Sequence, residues 1–121
     1  MIKRLDTLEV ATSDLADASS IYEKNFGFAV ARSADGKSAS VKVGGAEIRL
    51  RAGDTIATID SPGEGMVGLW LEAADVDQVI VDFRAAGLDA GAIRKHAGRR
   101  ILAIAPELAN QVPLFIFDRK A

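Results

Sequence analysis

Histidine and cysteine, two residue types that often act as nucleophiles or metal ligands, are scarce in this chain of 121 residues. It contains one histidine, His96, and no cysteine. The lack of cysteine excludes thiolate nucleophiles, thiolate metal sites and disulfides, and one imidazole supplies only a single nitrogen ligand to a metal within one chain. The chemistry left is acid–base catalysis by carboxylates, or recognition of a ligand by arginines and aromatic rings.

Alternation along the predicted strands collects polar and aromatic side chains on one face. If Leu8 and Val10 face a layer of helices, their neighbours in the strand face the other way. The same argument, applied to the last strand of the first half and to two strands of the second half, gives the expected lining of a ligand site. Its members are Thr7, Glu9, Glu47, Arg49, Arg51, Gly68, Trp70, Glu72, Pro113, Phe115 and Phe117.

This predicted face suits a planar organic ligand, because it combines aromatic walls with a few polar anchors. Arg49 can bind a ligand carboxylate through two hydrogen bonds or stack on a ring. Two structural alternatives stay open. Arg49 can instead pair with Glu9, Glu47 or Glu72, and Trp70 can pack in a core or at a dimer interface.

Acid–base catalysis by Glu9 or Glu72 is a further alternative, with Arg49 stabilising an anionic intermediate. Such a base needs a raised pKa, whereas a neighbouring guanidinium lowers the pKa of a carboxyl group. Because these two requirements conflict, the residue types favour ligand binding over catalysis.

Two other charged groups have simpler explanations. A basic run is predicted to be the solvated tip of a hairpin, and contact with an anion or phosphate is the alternative. Its residues are Arg94, Lys95, His96, Arg99 and Arg100. Asp75 and Asp77 are predicted to cap a helix and to place charge in its first turn.

The elements that must hold these residues occur twice in the same order. In the first half a strand precedes a helix that Thr12 or Ser13 caps and Gly27 ends, and three short strands follow. In the second half a strand precedes a helix that Asp75 caps and Gly87 ends, and three strand candidates follow. The sequence therefore predicts a duplication of one strand–helix–three-strand unit.

The repeat predicts two modules, 1–52 and 66–121, joined by a linker over 53–65. One copy cannot bury both faces of its sheet alone. Both copies are therefore expected to pack as a single α+β domain over residues 1–121.

The two repeats open with LDTLEVATSDLADASSIYEKNFGF and GLWLEAADVDQVIVDFRAAGL. These segments resemble the vicinal oxygen chelate superfamily, which includes glyoxalase I, extradiol dioxygenases, methylmalonyl-CoA epimerase and bleomycin-resistance proteins. The resemblance covers nearly the whole chain. It implies two βαβββ modules that form a curved sheet cup with the helices on its outer face.

In the enzymes of this superfamily, His or Glu side chains from the first and last strand of each half hold a divalent metal. The resemblance places these four positions at Thr7, Arg49, Gly68 and Phe115. Glycine and phenylalanine offer no donor atom and arginine adds a positive charge, so the set does not suit a divalent cation. We therefore expect no metal and no other cofactor.

The resemblance then implies the branch of the superfamily that binds ligands without metal. We expect a metal-independent binding protein of the bleomycin-resistance type that sequesters a partly aromatic ligand such as an antibiotic and forms a homodimer, because the residue types favour binding over catalysis. Its expected ligand-binding residues are Thr7, Glu9, Arg49, Trp70, Glu72 and Phe115. The alternative is a glyoxalase-like lyase or isomerase, or a dioxygenase-related enzyme, with a degenerate or displaced active site. A third option is an accessory subunit whose cup is filled by its own side chains.

Charge and hydropathy limit the partners. Fifteen Lys and Arg residues against seventeen Asp and Glu residues give a net charge of -2, so no overall field attracts nucleic acid or anionic lipid. No apolar run approaches the ~20 residues of a membrane span, and the start of the chain lacks the features of a secretory signal. We expect a cytoplasmic protein with a small-molecule ligand.

Overall fold

The computed structural model describes residues 2–52 and 65–120. The chain divides into two compact units, a first unit over Thr7–Val67 and a second unit made of Met1–Asp6 and Gly68–Ala121. The predicted linker over 53–65 lies outside the described residues except for Gly65. Within the described residues, each half of the chain contains one α-helix and four strands, and the element order confirms an α+β fold of two βαβββ repeats.

The first unit has the strand order β2-β3-β4-β1. Its elements are residues 7–12 of β1 (Ile2–Thr12), α1 Leu15–Phe26, β2 Val30–Arg32, β3 Ser38–Val43 and β4 Ala46–Ala52, whereas residues 2–6 of β1 belong to the second unit. Strands β1 and β4 are parallel, whereas β2–β3 and β3–β4 are antiparallel. Ala39, Val41 and Leu50 alternate towards one face of this sheet and are buried.

The N-cap of helix α1 lies later in the chain than predicted, one residue after Ser13 and two residues after Thr12. Asp14, not Thr12 or Ser13, is the N-cap: its backbone is extended and its Oδ1 accepts a 2.9 Å hydrogen bond from the N–H of Asp17. The Thr12 hydroxyl lies 3.2 Å from the Asp14 backbone N–H and so supports the turn before the helix. Gly27 ends the helix as predicted, with a φ of 70° in the left-handed region where glycine is favoured.

The second unit repeats this arrangement with the strand order β5-β8-β7-β6. Its elements are β5 Gly65–Ala73, α2 Val76–Ala85, β6 Arg94–His96, β7 Arg99–Ala103 and β8 Leu114–Asp118, with a short 3-10 helix at Pro106–Leu108. Strands β5 and β8 are parallel, and the other pairs are antiparallel. Neither helix in the described part of the chain is long and apolar enough to cross a bilayer.

The core of the second unit lies between α2 and one face of its sheet. Val76 and Val79 of α2 are buried, and Ile80 and Phe83 pack beside them, as the predicted helical spacing requires. Three strands contribute the buried side chains of Ala73, Leu102 and Ile116, and the segments between elements contribute Ala90 and Ile104. This face is therefore apolar and covered by the helix.

The start of α2 is held by two carboxylates. Asp75 caps the helix as predicted, because its Oδ1 accepts from the N–H of Asp77 at 2.9 Å. Asp118, which comes from β8, is buried and accepts from the N–H of Val76 at 2.7 Å. Arg100 binds both oxygens of Asp118, at 3.0 and 2.6 Å, and neutralises its buried charge. A residue distant in sequence therefore completes the cap.

Replacing Asp118 with Asn is expected to lower the free energy of unfolding by about 2 kcal/mol, because the substitution removes a charge that binds Arg100 and a helix N–H in a buried place. Chemical denaturation at neutral pH measures this. The matched control is Glu107→Gln on the exposed 3-10 helix, which should change stability by less than about 0.5 kcal/mol. Equal stability of Asp118→Asn and the wild type would contradict the role given to Asp118.

The same interaction predicts a pH dependence. Burial raises the pKa of Asp118, but hydrogen bonds from Arg100 and from two backbone N–H groups outweigh burial, and the net pKa lies below its ordinary value of 3.8. Stabilisation by a carboxyl group of lowered pKa is present above its unfolded-state pKa and lost as the pH falls through the folded-state pKa. The stability difference between wild type and Asp118→Asn should therefore shrink as the pH is lowered below about 4.

Candidate functional site

The sheet face of the first unit that points away from Leu50 carries the three predicted site residues of this unit. In the parallel pairing of β1 with β4, Thr7 lies opposite Glu47 and Glu9 lies opposite Arg49. Residues opposite each other in paired strands point to the same face. The structure thus brings Thr7, Glu9 and Arg49 together on one face.

Ion pairs occupy the charged groups of this face. Arg51 Nη1 lies 2.9 Å from the Oε2 of the buried Glu9. Arg49 lies 3.1 Å from Glu47, which also binds Lys42 at 3.0 Å. Glu9, Glu47 and Glu72 were the expected ion-pair partners of Arg49, and the structure places Arg49 beside Glu47. The side chain of Arg49 is 45% exposed, and an exposed pair of this kind contributes little to stability.

In the second unit, the face opposite to α2 is aromatic. Trp70 lies opposite Phe115 and Glu72 lies opposite Phe117 in the β5–β8 pairing. The rings of Trp70 and Phe115 stack with centroids 4.4 Å apart, and Phe117 meets Trp70 edge-on at 6.1 Å. Phe117 is fully buried, whereas Trp70 and Phe115 are half-buried. We call Trp70, Phe115 and Phe117 the aromatic face.

Glu72 connects the aromatic face to a network of arginines. Its side chain is 9% exposed and accepts from Arg4 Nε at 2.8 Å and from Arg119 Nε at 3.3 Å. Asp6, equally buried, lies 2.7 Å from Arg4, 3.6 Å from Arg119 and 3.9 Å from Arg99. The arginine cluster, defined as Arg4, Arg99 and Arg119, thus surrounds two buried carboxylates.

Two guanidinium groups of the arginine cluster also lie over an aromatic ring. The Cζ of Arg99 is 4.4 Å from the centroid of Phe117, and that of Arg119 is 5.4 Å from it. Contacts of a guanidinium with a ring at this distance are attractive. The cluster and the aromatic face therefore form one continuous arrangement within the second unit.

Glu72 is held in its ionised form. The hydrogen bond from Arg4 lowers the pKa of Glu72 most; burial raises that pKa, and the charges of Arg119, Arg4 and Lys3 lower it further, with a net decrease. A carboxylate with a lowered pKa is a weak base. The structure therefore reproduces the conflict expected between a nearby guanidinium and a catalytic glutamate.

Alternation along single strands did not identify Arg4, Asp6, Arg99 or Arg119 as members of a site. Asp6 and Thr7 are consecutive and both buried, so strict alternation fails at this point of β1. Arg119 follows Phe117 by two positions, and this spacing is the sequence feature that could have indicated that Arg119 lies near Phe117.

The side chains of the predicted basic hairpin tip point to different faces of the sheet in the second unit. The β6–β7 register places His96 opposite Arg99 and Lys95 opposite Arg100. Arg100 points to the helix side and binds Asp118, while Arg99 points to the aromatic face. The exposed part of the tip is Arg94, Lys95 and His96.

The family model of the glyoxalase/bleomycin resistance protein/dioxygenase superfamily matches residues 4–107. The chain belongs to this superfamily. No curated protein sequence matches the chain at a significant level.

Solved structures similar to this superfamily member include several methylmalonyl-CoA epimerases. The enzyme from Mycobacterium tuberculosis has 22% identity and a TM-score of 0.73, with 99% of this chain and 90% of that chain covered. A variant of the Streptomyces coelicolor enzyme in complex with 2-nitronate-propionyl-CoA has 22% identity and a TM-score of 0.70, with both chains covered fully. A hypothetical protein from Bacillus halodurans has 15% identity and a TM-score of 0.68, covering 98% of this chain and 95% of that one. At these identities the likeness supports the fold.

The residues at the superfamily's metal positions do not fit a metal ion. Arg49 carries a positive charge and is paired with Glu47, Gly68 has no side chain, and the Phe115 ring stacks on Trp70. Only the Thr7 hydroxyl offers an oxygen, which is a poor ligand alone. Within residues 2–52 and 65–120, no group of three or more His, Asp or Glu side chains is arranged to hold a metal.

The purified protein is therefore expected to contain far less than one equivalent of transition metal, because these positions supply one weak neutral donor. Inductively coupled plasma mass spectrometry after dialysis against a metal-free buffer measures this. One equivalent of tightly held Zn, Mn, Fe or Ni would overturn the assignment of these four positions.

Proposed function

We propose that this superfamily member is an enzyme of the isomerase or lyase type that acts on a small carboxylate or thioester compound. The observation that carries the proposal is its likeness, along its whole length, to methylmalonyl-CoA epimerases. The comparisons support the enzyme alternative better than the bleomycin-type binding protein that the residue types first favoured. A dioxygenase is not proposed, because the residues at the metal positions do not fit a metal.

Isomerisation beside a carbonyl requires a base that removes a proton from carbon and a positive group that stabilises the resulting oxyanion. In this chain the arginine cluster can supply that positive charge, because guanidinium groups bind carboxylate and oxyanion oxygens directly. We propose that the cluster replaces the metal as the source of positive charge. This proposal requires no metal ligand at the four superfamily positions.

The proposed base is Glu72, with Glu9 as the second candidate. Arg4 and Arg119 keep the pKa of Glu72 low in the free protein. When an anionic substrate binds to the same arginines, it competes for their hydrogen bonds, and the pKa of Glu72 should rise. Substrate binding would therefore turn a weak base into a stronger one.

Sequestration of a small molecule without turnover is the second candidate function. The stacked pair of Trp70 and Phe115 favours it, since half-buried rings offer an apolar surface to a partly aromatic ligand. The low pKa of Glu72 favours it too. For either function we propose a cytoplasmic homodimer whose partner is a small molecule rather than nucleic acid or membrane.

The enzyme proposal predicts exchange of a substrate proton with solvent. Incubation with methylmalonyl-CoA in D2O is expected to introduce deuterium at the carbon between the two carbonyl groups, above the rate without protein, because epimerisation passes through loss of this proton. Mass spectrometry measures the incorporation. Glu72→Gln is expected to slow it at least about 100-fold.

Two controls accompany this experiment. Glu107→Gln, on the exposed 3-10 helix, should exchange like the wild type, and Glu9→Gln tests the second candidate for the base. Exchange that neither Glu72→Gln nor Glu9→Gln slows would exclude the glutamate mechanism. If the protein binds methylmalonyl-CoA without any exchange, the sequestration function is favoured.

A further inference from the structure

We infer that the arginine cluster and the aromatic face of the second unit form a binding site for an aromatic carboxylate. The inference rests on the proposed function, because it names the substrate class of the same site. It needs only groups of one unit, and these groups are connected by the contacts described above.

Charge is the first argument for an anionic ligand. The three guanidinium groups of the cluster face two carboxylates, Asp6 and Glu72. The ammonium group of Lys3 adds a further positive charge that acts on Glu72. Among the contacts within the described residues, positive charge thus exceeds negative charge around two side chains that are themselves buried, and a bound carboxylate would balance part of it.

The lengths of the ion pairs indicate which arginines would receive the ligand. Arg4 is held tightly, at 2.7 and 2.8 Å from its two carboxylates. Arg119 lies at 3.3 and 3.6 Å, and Arg99 lies 3.9 Å from Asp6. Charge-assisted hydrogen bonds are normally about 2.7–2.9 Å long. Arg99 and Arg119 would therefore give up only weak contacts with these carboxylates on binding a ligand.

The buried Phe117 ring orients the guanidinium of Arg99. The Cζ of Arg99 lies 4.4 Å from the ring centroid, so one side of the guanidinium packs against the ring of Phe117. A planar guanidinium that is fixed in this way binds a carboxylate through two parallel hydrogen bonds. This favours a planar carboxylate over a compact anion such as phosphate.

The ring of the ligand would rest against the exposed part of Trp70 and Phe115. These stacked rings are half-buried and belong to the same sheet face as Phe117. Aromatic rings pair favourably in stacked or edge-on arrangements. A molecule with a carboxylate attached to a ring would thus contact the arginine cluster at one end and the aromatic face at the other.

The test uses benzoate as the probe and the fluorescence of Trp70, the single tryptophan of the chain, as the signal. Benzoate should change the emission in a saturable way at low ionic strength. Benzyl alcohol, which has the ring without the charge, and acetate and inorganic phosphate, which have charge without the ring, should each need at least about tenfold higher concentration. An equal effect of benzyl alcohol or of phosphate would overturn the inference.

Variants of the cluster give the second part of the test. Arg99→Gln should weaken benzoate binding at least about tenfold, and Arg99→Lys should also weaken it because the planar group is lost. Arg84→Gln, an exposed arginine at the end of α2, is the matched control and should bind benzoate like the wild type. Arg119→Gln replaces Arg99→Gln if circular dichroism shows that the latter does not fold. Unchanged binding in a folded variant of either arginine would contradict the site.

Failure of the site and failure of the proposed enzyme are distinguishable, because benzoate binding needs no turnover. Benzoate binding that depends on Arg99, without deuterium exchange on methylmalonyl-CoA, would support the site and count against the enzyme. Exchange without any binding of benzoate would leave the enzyme and overturn the aromatic carboxylate.

Discussion

The parallel pairing of the first and last strand in each half determines which side chains lie on the sheet face that carries the candidate site residues. It sets Glu9 opposite Arg49 in one unit and Trp70 opposite Phe115 in the other. Since side chains alternate along a strand, a shift of one residue would turn Trp70 towards α2 and Ile116 away from it. The apolar surface under the helix opposes such a shift, so the helix-side core also fixes the position of the candidate site.

Local patterns were sufficient to predict the two repeats, the end of α1 at Gly27, the cap of α2 at Asp75 and the shared face of Trp70, Glu72 and Phe115. These features depend on neighbouring residues or on alternation within one strand. The contact of Arg99 with Phe117 depends on the register between β7 and β8, and the contact of Arg4 with Glu72 joins residues 68 positions apart. Interactions of this kind cannot be deduced from periodicity, because they require knowledge of which strands are neighbours.

Asp6 shows a second reason why the site was only partly predicted. The alternation that assigns β1 residues to faces assumes a regular strand, but Asp6 and Thr7 are both buried. The two units of the chain meet in sequence between these same residues. The sheet face of a residue at this point therefore has to be taken from the three-dimensional structure, whereas Leu50 and Val41 lie in regular strands where alternation assigns the face.

The cap that Asp118 places on α2 has a consequence for the order in which the protein forms during synthesis. The Val76 N–H and its Asp118 acceptor are 42 positions apart, and Arg100, which neutralises Asp118, lies between them in sequence. Synthesis makes α2 before β8, so the helix lacks its buried cap until β8 has been made, and a short helix without tertiary contacts is marginally stable. Strands β1 to β4 are complete once residue 52 has been made, whereas the sheet of the second unit is complete only once β8 has been made.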